Sequence, residues 1–230
     1  CLRSWDKTDQ TYTLTAMWEI NQYTLTIEPQ NGTAGTAKQL QYNADMPSLA
    51  KPENIGKTFE GYYTKTADGD WDQQIYDRDA KPVLSRWDYI TDLTIYGKWE
   101  KIPYRLTFNE NADGETVNWP SGAAKEYTIY YDELFPRLPT PTRTGYNFTG
   151  WYSKPQCLPN DLVRGALTKV TKAEDQALYA GWVAKIVKAT YVLADDFLWD
   201  KNISYNAPYG DQPNLSSDGQ QLKGWYLDPD

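Results

Sequence analysis

The chain has 230 residues and a formal net charge of −8, which disfavours nucleic acid and anionic membranes as partners. The sequence has no histidine, the commonest general base and metal ligand, and only two cysteines, too few for a disulfide framework or a thiolate metal site. A Ser-His-Asp triad is therefore impossible, and we expect neither an enzyme nor a bound cofactor or metal.

The first patterned segment is residues 14–18, in which two sets of side chains alternate and the last residue is a tryptophan. Leu14, Ala16 and Trp18 alternate with Thr15 and Met17, and this period of two predicts a strand with one buried face. The same pattern ends in Trp at residues 95–99 and 178–182. The spacing of roughly 80 residues indicates tandem copies of one supersecondary unit. The 10 Trp and 19 Tyr suit half-buried strand faces, so each unit is expected to be β-rich.

Two more strands are predicted in each copy. The first occupies residues 23–27, 104–108 and 189–193. The second occupies residues 38–42, 126–131 and 203–205. Because no window shows a long apolar stripe with a period of 3.6 residues, long helices are not expected.

A glycine cassette, Gly-x-x-Phe/Leu-x-Gly-Tyr/Trp-Tyr, follows these strands in every copy. Its copies are residues 56–63, 145–152 and 219–226, each preceded by a Pro-x-Leu segment. The glycines are expected to supply unusual backbone angles or close approach, while Phe59, Phe148 and Leu222 fill a core. Arrays of this kind serve as spacers or binding surfaces, whereas an active site needs unlike residues that converge.

The succession of these motifs resembles the Listeria–Bacteroides repeat, also called the internalin B-repeat family. In the best match, residues 145–152 read Gly-Tyr-Asn-Phe-Thr-Gly-Trp-Tyr and residues 178–182 read Leu-Tyr-Ala-Gly-Trp. Members are β-grasp-like modules in secreted or cell-wall surface proteins of bacteria. The resemblance implies a β-rich α+β fold of tandem small β-grasp-like repeats with little helix, and an extracellular adhesin stalk or fibre segment. It offers no catalytic residues to carry over.

Four segments are expected from the positions of the motifs. Residues 1–19 are the closing part of an upstream repeat, and residues 20–101 and 102–184 are repeats. Residues 185–230 form a repeat that lacks its closing strand.

Two interpretations of the incomplete repeats at the two ends are open. In the first, the chain is a trimmed part of a longer tandem protein, and in the second, copies of the chain complete one another by strand complementation. In the second interpretation, the strand with Tyr12, Leu14 and Trp18 adds to the open edge near Leu222 and Trp225 of a neighbouring copy. The partner would then be the protein itself, joined head to tail.

Candidate ligand-binding residues lie outside the cassettes. Trp71, Trp87 and Trp119 stand in variable segments, where exposed aromatic rings could stack on sugars. They indicate an alternative function as a binding module for a host protein or glycan, although packing over a small core is the favoured explanation of these residues. Residues 68–72 read Asp-Gly-Asp-Trp-Asp, a partial calcium-loop pattern that lacks the following Gly and the bidentate Glu. A solvated acidic turn is expected there.

Overall fold

The computed structural model describes residue 11 and residues 13–193, 197–212, 216–217 and 220–225. The chain divides into two compact units, residues 1–101 and residues 102–230. In the part described, helical structure consists of two single-turn 3-10 helices, Pro159–Asp161 and Gly165–Leu167, and the rest of the regular structure is strand. The prediction of a β-rich fold with little helix is confirmed.

The first unit is a mixed five-stranded sheet. Its strands are β1 (Gln22–Glu28), β2 (Thr36–Gln41), β3 (Lys57–Lys65), β4 (Trp71–Tyr76) and β5 (Leu93–Lys101). They lie in the order β2-β1-β5-β3-β4. Strand β5 runs parallel to β1 and antiparallel to β3. The strand that closes the repeat in sequence therefore lies in the middle of the sheet.

The second unit contains the same arrangement. Its first seven strands are β6 (Tyr104–Asn109), β7 (Val117–Asn118), β8 (Glu126–Ile129), β9 (Thr142–Arg143), β10 (Tyr146–Tyr152), β11 (Leu162–Val163) and β12 (Gln176–Ala184). The sheet order is β7-β9-β10-β12-β6-β8, and β11 pairs with β10. Strand β12 runs parallel to β6 and antiparallel to β10, as β5 does to β1 and β3.

The strand register repeats as well as the order. Phe59 lies opposite Trp99, and Phe148 lies opposite Trp182. In both units a bulge follows the Phe, before the second cassette glycine resumes the pairing. Equal register and an equal bulge show that the two units are copies of one structure.

The closing tryptophans fasten their strands through the indole nitrogen. Nε1 of Trp99 donates to the carbonyl oxygen of Pro29 at 2.7 Å, and Nε1 of Trp182 donates to that of Glu110 at 2.8 Å. Each acceptor lies just beyond the parallel neighbour strand. A tryptophan satisfies this geometry because it combines a large apolar face with one donor.

A carboxylate fastens the other end of each closing strand. Oδ1 of Asp92 accepts the backbone N–H of Thr24, and Oδ1 of Asp175 accepts that of Arg105, both at 2.8 Å. These aspartates stand immediately before β5 or the start of β12. The central strand is thus held at both ends to its parallel partner.

Each unit has an aromatic-rich core on one face of its sheet. The buried residues of the first core are Leu25, Ile27, Met46, Phe59, Tyr62, Ile75, Tyr76, Ala80, Trp87 and Ile95. Those of the second are Leu106, Ile129, Phe135, Trp151, Val163, Val170, Leu178 and Ala180. Burial of each large side chain contributes about 1.5–3 kcal/mol, which is how so small a unit supports itself.

Polar tips of core aromatics fasten the segment around Pro-x-Leu, which has little regular structure. The hydroxyl of Tyr76 donates to the carbonyl oxygen of Pro47 at 2.9 Å. In the second unit, Nε1 of Trp151 donates to the carbonyl oxygen of Pro139 at 2.7 Å. These bonds hold the segment over the core, since it has few ladder hydrogen bonds of its own.

A hairpin follows the second sheet. Strands β13 (Ile186–Leu193) and β14 (Phe197–Ser204) pair along their full length, and a short pair follows in β15 (Ser216–Ser217) and β16 (Gln220–Gln221). Tyr191 is buried on this hairpin, with its ring 5.0 Å from that of Trp199 and 4.9 Å from that of Trp225.

The strand predicted at residues 14–18 is not formed. Described residues from 13 to 21 belong to no strand, and the side chains of Leu14 and Trp18 are 71% and 93% exposed. These residues have no strand neighbours here, because a closing strand in this fold is a central strand. It requires a parallel and an antiparallel neighbour, and alternation of side chains cannot supply them.

Substitution of Gly61, the glycine at the bulge of β3, tests whether close packing there supports the strand register. Gly61 has φ +129°, and a Cβ there would collide with the carbonyl oxygen of Tyr76. Gly69, at φ +90°, has no atom within 4 Å of that position. We expect Gly61→Ala to lower the free energy of unfolding by roughly 1–3 kcal/mol more than Gly69→Ala, which carries backbone strain alone. Urea unfolding measures both, and equal losses would contradict the packing role.

Alkaline pH is expected to weaken the first unit through Tyr76. Burial raises the pKa of Tyr76 to about 12 from its ordinary value of 10.0. Between these values the unfolded chain ionises while the folded chain stays protonated, so stability is complete below pH 10 and falls by roughly 1.4 kcal/mol per pH unit towards pH 12. Unfolding curves of Tyr76→Phe should fall less steeply there. The matched variant Tyr42→Phe, at an exposed tyrosine, should follow the parent.

Candidate functional site

Trp71 presents the most exposed ring of the three predicted ligand-binding tryptophans. It begins β4, lies opposite Lys65 of β3, and is 41% exposed. Its ring centre lies 4.7 Å from Nζ of Lys65 and 5.7 Å from Nζ of Lys98, and the ring of Tyr63 meets it edge-on at 6.1 Å. The indole is thus held by contacts from two neighbouring strands.

The same contacts extend across the sheet. Nζ of Lys65 also lies 4.7 Å from the ring centre of Tyr96, and Nζ of Lys98 lies 5.0 Å from that of Tyr63. Side chains alternate along a strand, so these residues share the face opposite the core. We name this set the aromatic–lysine surface: Tyr63, Lys65, Trp71, Tyr96 and Lys98.

In the second unit, a tyrosine ring covers the corresponding face of the sheet. Its register places Gly181 where the first unit has Lys98, opposite Gly150 and Gly61 respectively. The ring of Tyr152 packs so closely on Gly181 that a Cβ there would collide with it. Tyr152 is buried, so this unit presents no equivalent of the aromatic–lysine surface.

Trp87 and Trp119 pack against the cores. Trp87 is fully buried, 5.1 Å from the ring of Tyr89, so the proposal of Trp87 as an exposed sugar platform is corrected. Trp119 is half-buried and stacks on Trp151 at 5.8 Å, with its Nε1 donating to the carboxylate of Glu110. The variable segments that carry both residues fold back over the sheet, because a small core gains most from large aromatic side chains.

The acidic segment at residues 68–72 leads from the turn after β3 into the first two residues of β4. The N–H of Gly69 donates to the carbonyl oxygen of Thr66 at 3.0 Å, and the N–H of Thr66 donates to that of Asp70 at 2.9 Å. Within the described ranges, no group of three or more His, Cys, Asp or Glu side chains is arranged to hold a metal ion.

A second feature lies at the junction between β12 and the hairpin of β13 and β14. Strand β12 ends at Ala184 and β13 begins at Ile186, so Lys185 alone links them. The N–H of Lys185 donates to the carbonyl oxygen of Gly145, and its carbonyl oxygen accepts the N–H of Tyr205, both at 2.8 Å. The link therefore has both backbone polar groups bonded, one to Gly145 before β10 and one to Tyr205 after β14.

Side chains reinforce this junction. The ring of Tyr205 lies 5.6 Å from that of Tyr146 in a T-shaped contact and leaves no room for a Cβ on Gly145, which has φ +77°. The guanidinium of Arg143 lies 3.9 Å from the ring centre of Tyr146. We name Arg143, Gly145, Tyr146, Lys185 and Tyr205 the repeat joint.

The repeat joint was not predicted from the sequence, although a signal for it exists. A tyrosine followed by Asn or Asp ends the second strand region of every copy, at residues 42–43, 131–132 and 205–206. The second residue has a positive φ in all three, which are Asn43, Asp132 and Asn206. This repeated tyrosine could have marked Tyr205 as a contact residue.

Of the residues predicted for strand complementation, the four that the structure describes are not paired in strands. Leu14 and Trp18 are exposed, and Tyr12 lies outside the described residues. The side chain of Leu222 is 36% exposed, and that of Trp225 is half-buried against Tyr191.

Among the described residues, no helix is long and apolar enough to cross a bilayer.

The proteins that share sequence with the chain include three relatives. A protein described as a Gly-rich membrane protein from Evansella cellulosilytica is 24% identical over 237 residues, covering 98% of this chain and 24% of that protein. A second, described as a membrane protein from the same organism, is 27% identical over 94% of this chain and 29% of its own length. Internalin H from Listeria monocytogenes is 30% identical over 44% of this chain and 15% of its own length. The chain thus spans less than a third of each relative.

The Listeria-Bacteroides repeat domain matches two segments of the chain, residues 23–80 and 104–181. The two matches begin within β1 and at the start of β6, the first strands of two sheets with the same order and register. Together they cover more than half of the chain, and with the repeated architecture they show that it belongs to the Listeria-Bacteroides repeat domain family.

Proposed function

We propose that the chain is a non-catalytic segment of a bacterial cell-surface or secreted protein, where it acts as an adhesin stalk or fibre element. Family membership and the similarity to proteins described as membrane proteins and to an internalin support this function. Because the chain corresponds to less than a third of each relative, the activity that the stalk displays would reside elsewhere in the longer protein.

The repeat joint is the observation that carries this proposal. A one-residue link with both backbone groups bonded allows little hinge motion between the second copy and the hairpin of the third. Flexible linkers that separate independent modules have no such restraint. Restricted bending holds a fixed spacing along an array, which is the mechanical property of a stalk.

We also propose that each complete copy is a β-grasp-like module. The support is a mixed sheet in which the first and last strands of the repeat lie side by side, in parallel, at its centre. Segments without long helices take the place of a helical crossover and cover the core.

The second candidate function is a binding module for a host protein or glycan. The exposed ring of Trp71, which is held by lysines on the sheet face, favours it. The two functions are compatible, since a stalk can carry contacts along its sides.

Removing the ring at the joint should increase bending. Spin labels at the exposed positions Thr128 and Asn202, in a protein whose Cys1 and Cys157 are replaced by Ser, report the distance between the second copy and the hairpin. We expect a narrow distance distribution in the parent protein and in Tyr205→Phe, and a broader one in Tyr205→Ala, because only the ring contact with Gly145 and Tyr146 is lost. The matched variant Tyr209→Ala, at an exposed tyrosine nearby, should remain narrow.

An unchanged distribution in Tyr205→Ala would contradict the role of the joint in limiting bending. Circular dichroism of every variant establishes that the strands remain folded.

Self-association by strand addition is the partner interaction that we propose for the 230-residue chain. In the complete copies the closing strand lies between the first strand and the cassette strand, and β13 pairs with β14 alone among the described residues. Unpaired strand edges accept added strands. The exposed Leu14 and Trp18 of another copy have the alternation to do so.

Sedimentation velocity over a wide range of concentration tests this interaction. We expect growth of larger species in the parent protein and loss of them in Trp18→Ser, because Trp18 would occupy the position of Trp99 and Trp182. Met17→Ser, at a residue that is 95% exposed and lies on the opposite face of the predicted strand, should associate like the parent. A chain that stays monomeric throughout the range would contradict strand addition.

A further inference from the structure

We propose that the aromatic–lysine surface binds an anionic glycan. A sugar ring would stack on the exposed face of Trp71, and its carboxylate or sulfate groups would lie against Lys65 and Lys98. This inference deepens the second candidate function and rests on it, and it does not depend on the stalk function.

The geometry holds Trp71 ready for stacking. Lys65 lies opposite it on the adjacent strand, and Lys98 lies one strand further, with ammonium groups 4.7 Å and 5.7 Å from the ring centre. Because these contacts order the indole ring before a ligand arrives, binding loses little side-chain entropy. The apolar C–H face of a sugar ring matches such a flat indole.

The charge of the surface selects an anion. Neither Lys65 nor Lys98 lies within 4.0 Å of a carboxylate among the ion pairs of the described residues. Both ammonium groups therefore remain available in a protein whose net charge is −8. An ammonium beside an aromatic face keeps its attraction for an anion, since the contact with the ring does not neutralise it.

Two of the neighbouring acids have their carboxylates placed elsewhere, whereas Glu100 lies two residues beyond Lys98 on β5 and shares its face. Asp72 follows Trp71 on β4, so its side chain lies on the opposite face, where Oδ2 accepts the hydroxyl of Thr64 at 3.3 Å. The carboxylate of Glu28, which pairs in register with Tyr96, lies against Gly35. Repulsion of an anion by Asp72 and Glu28 is therefore reduced at Trp71.

The dimensions suit a polymer rather than a small enclosed ligand. The surface crosses β4, β3 and β5, and two strand spacings give a width of about 10 Å. This width accommodates a disaccharide lying flat. An open sheet face lets the polymer continue at both ends, as a glycan chain requires and an enclosed pocket forbids.

Calorimetric titration of the full 230-residue chain tests the inference. The probe is a heparin-derived tetrasaccharide, which carries carboxylates and sulfates, and the comparison sugar is neutral maltotetraose. We expect binding of the first and not of the second, weakening as salt concentration rises because exposed charges are screened.

Variants assign the binding to the surface. Trp71→Ala, and separately the double variant Lys65→Gln with Lys98→Gln, should each weaken heparin-fragment binding by roughly tenfold or more. The matched control is Lys125→Gln, which removes one charge beside Trp119 in the second unit and should change the affinity by less than about twofold. Thermal unfolding of each variant establishes that the first unit is intact.

Several results would overturn the inference. They are absence of heparin-fragment binding, equal binding of maltotetraose, equal binding of a poly-glutamate peptide, or binding that Trp71→Ala leaves unchanged. Equal binding of poly-glutamate would show recognition of charge without recognition of a sugar ring. The spin-label distances across the repeat joint report on the stalk function separately, so failure of glycan binding would leave that function standing.

Discussion

The fold depends on one strand in each complete copy, the closing strand at the centre of the sheet. It supplies the parallel partner of the first strand and the antiparallel partner of the cassette strand, so two halves that are distant in sequence meet only through it. An aspartate fastens its beginning and a tryptophan its end, in both units, with nearly identical hydrogen-bond lengths. A copy without this strand has two edges in place of a sheet centre.

The two glycines of the cassette have different structural roles. The second glycine, Gly61 or Gly150, carries the chain through the bulge at a positive φ and permits close packing behind it. The first, at Gly145, combines a positive φ with close packing of the ring of Tyr205 from the hairpin that follows. In the second unit the motif therefore takes part both in the sheet and in the contact with this hairpin.

Identical scaffolds carry different surfaces. The second unit has Gly181 where the first has Lys98, and the ring of Tyr152 packs directly on that glycine. In the first unit, Lys98 keeps the outer face open and basic. In the core, both copies keep a phenylalanine opposite the closing tryptophan, Phe59 with Trp99 and Phe148 with Trp182. Variation is left to the outer face and the connecting segments, where contacts with other molecules can differ from copy to copy.

The sequence by itself determined the repeat, its β-rich character and the family, because alternation, aromatic strand ends and glycine spacing are local signals that survive in each copy. Only the tertiary structure decided which tryptophans are exposed: Trp71 and Trp87 stand in similar variable segments, yet one lies on the outer face and the other in the core. It also decided that residues 14–18 form no strand and that Tyr205 meets Gly145. Side-chain pattern reports a preference, while burial and strand pairing depend on partners distant in the chain.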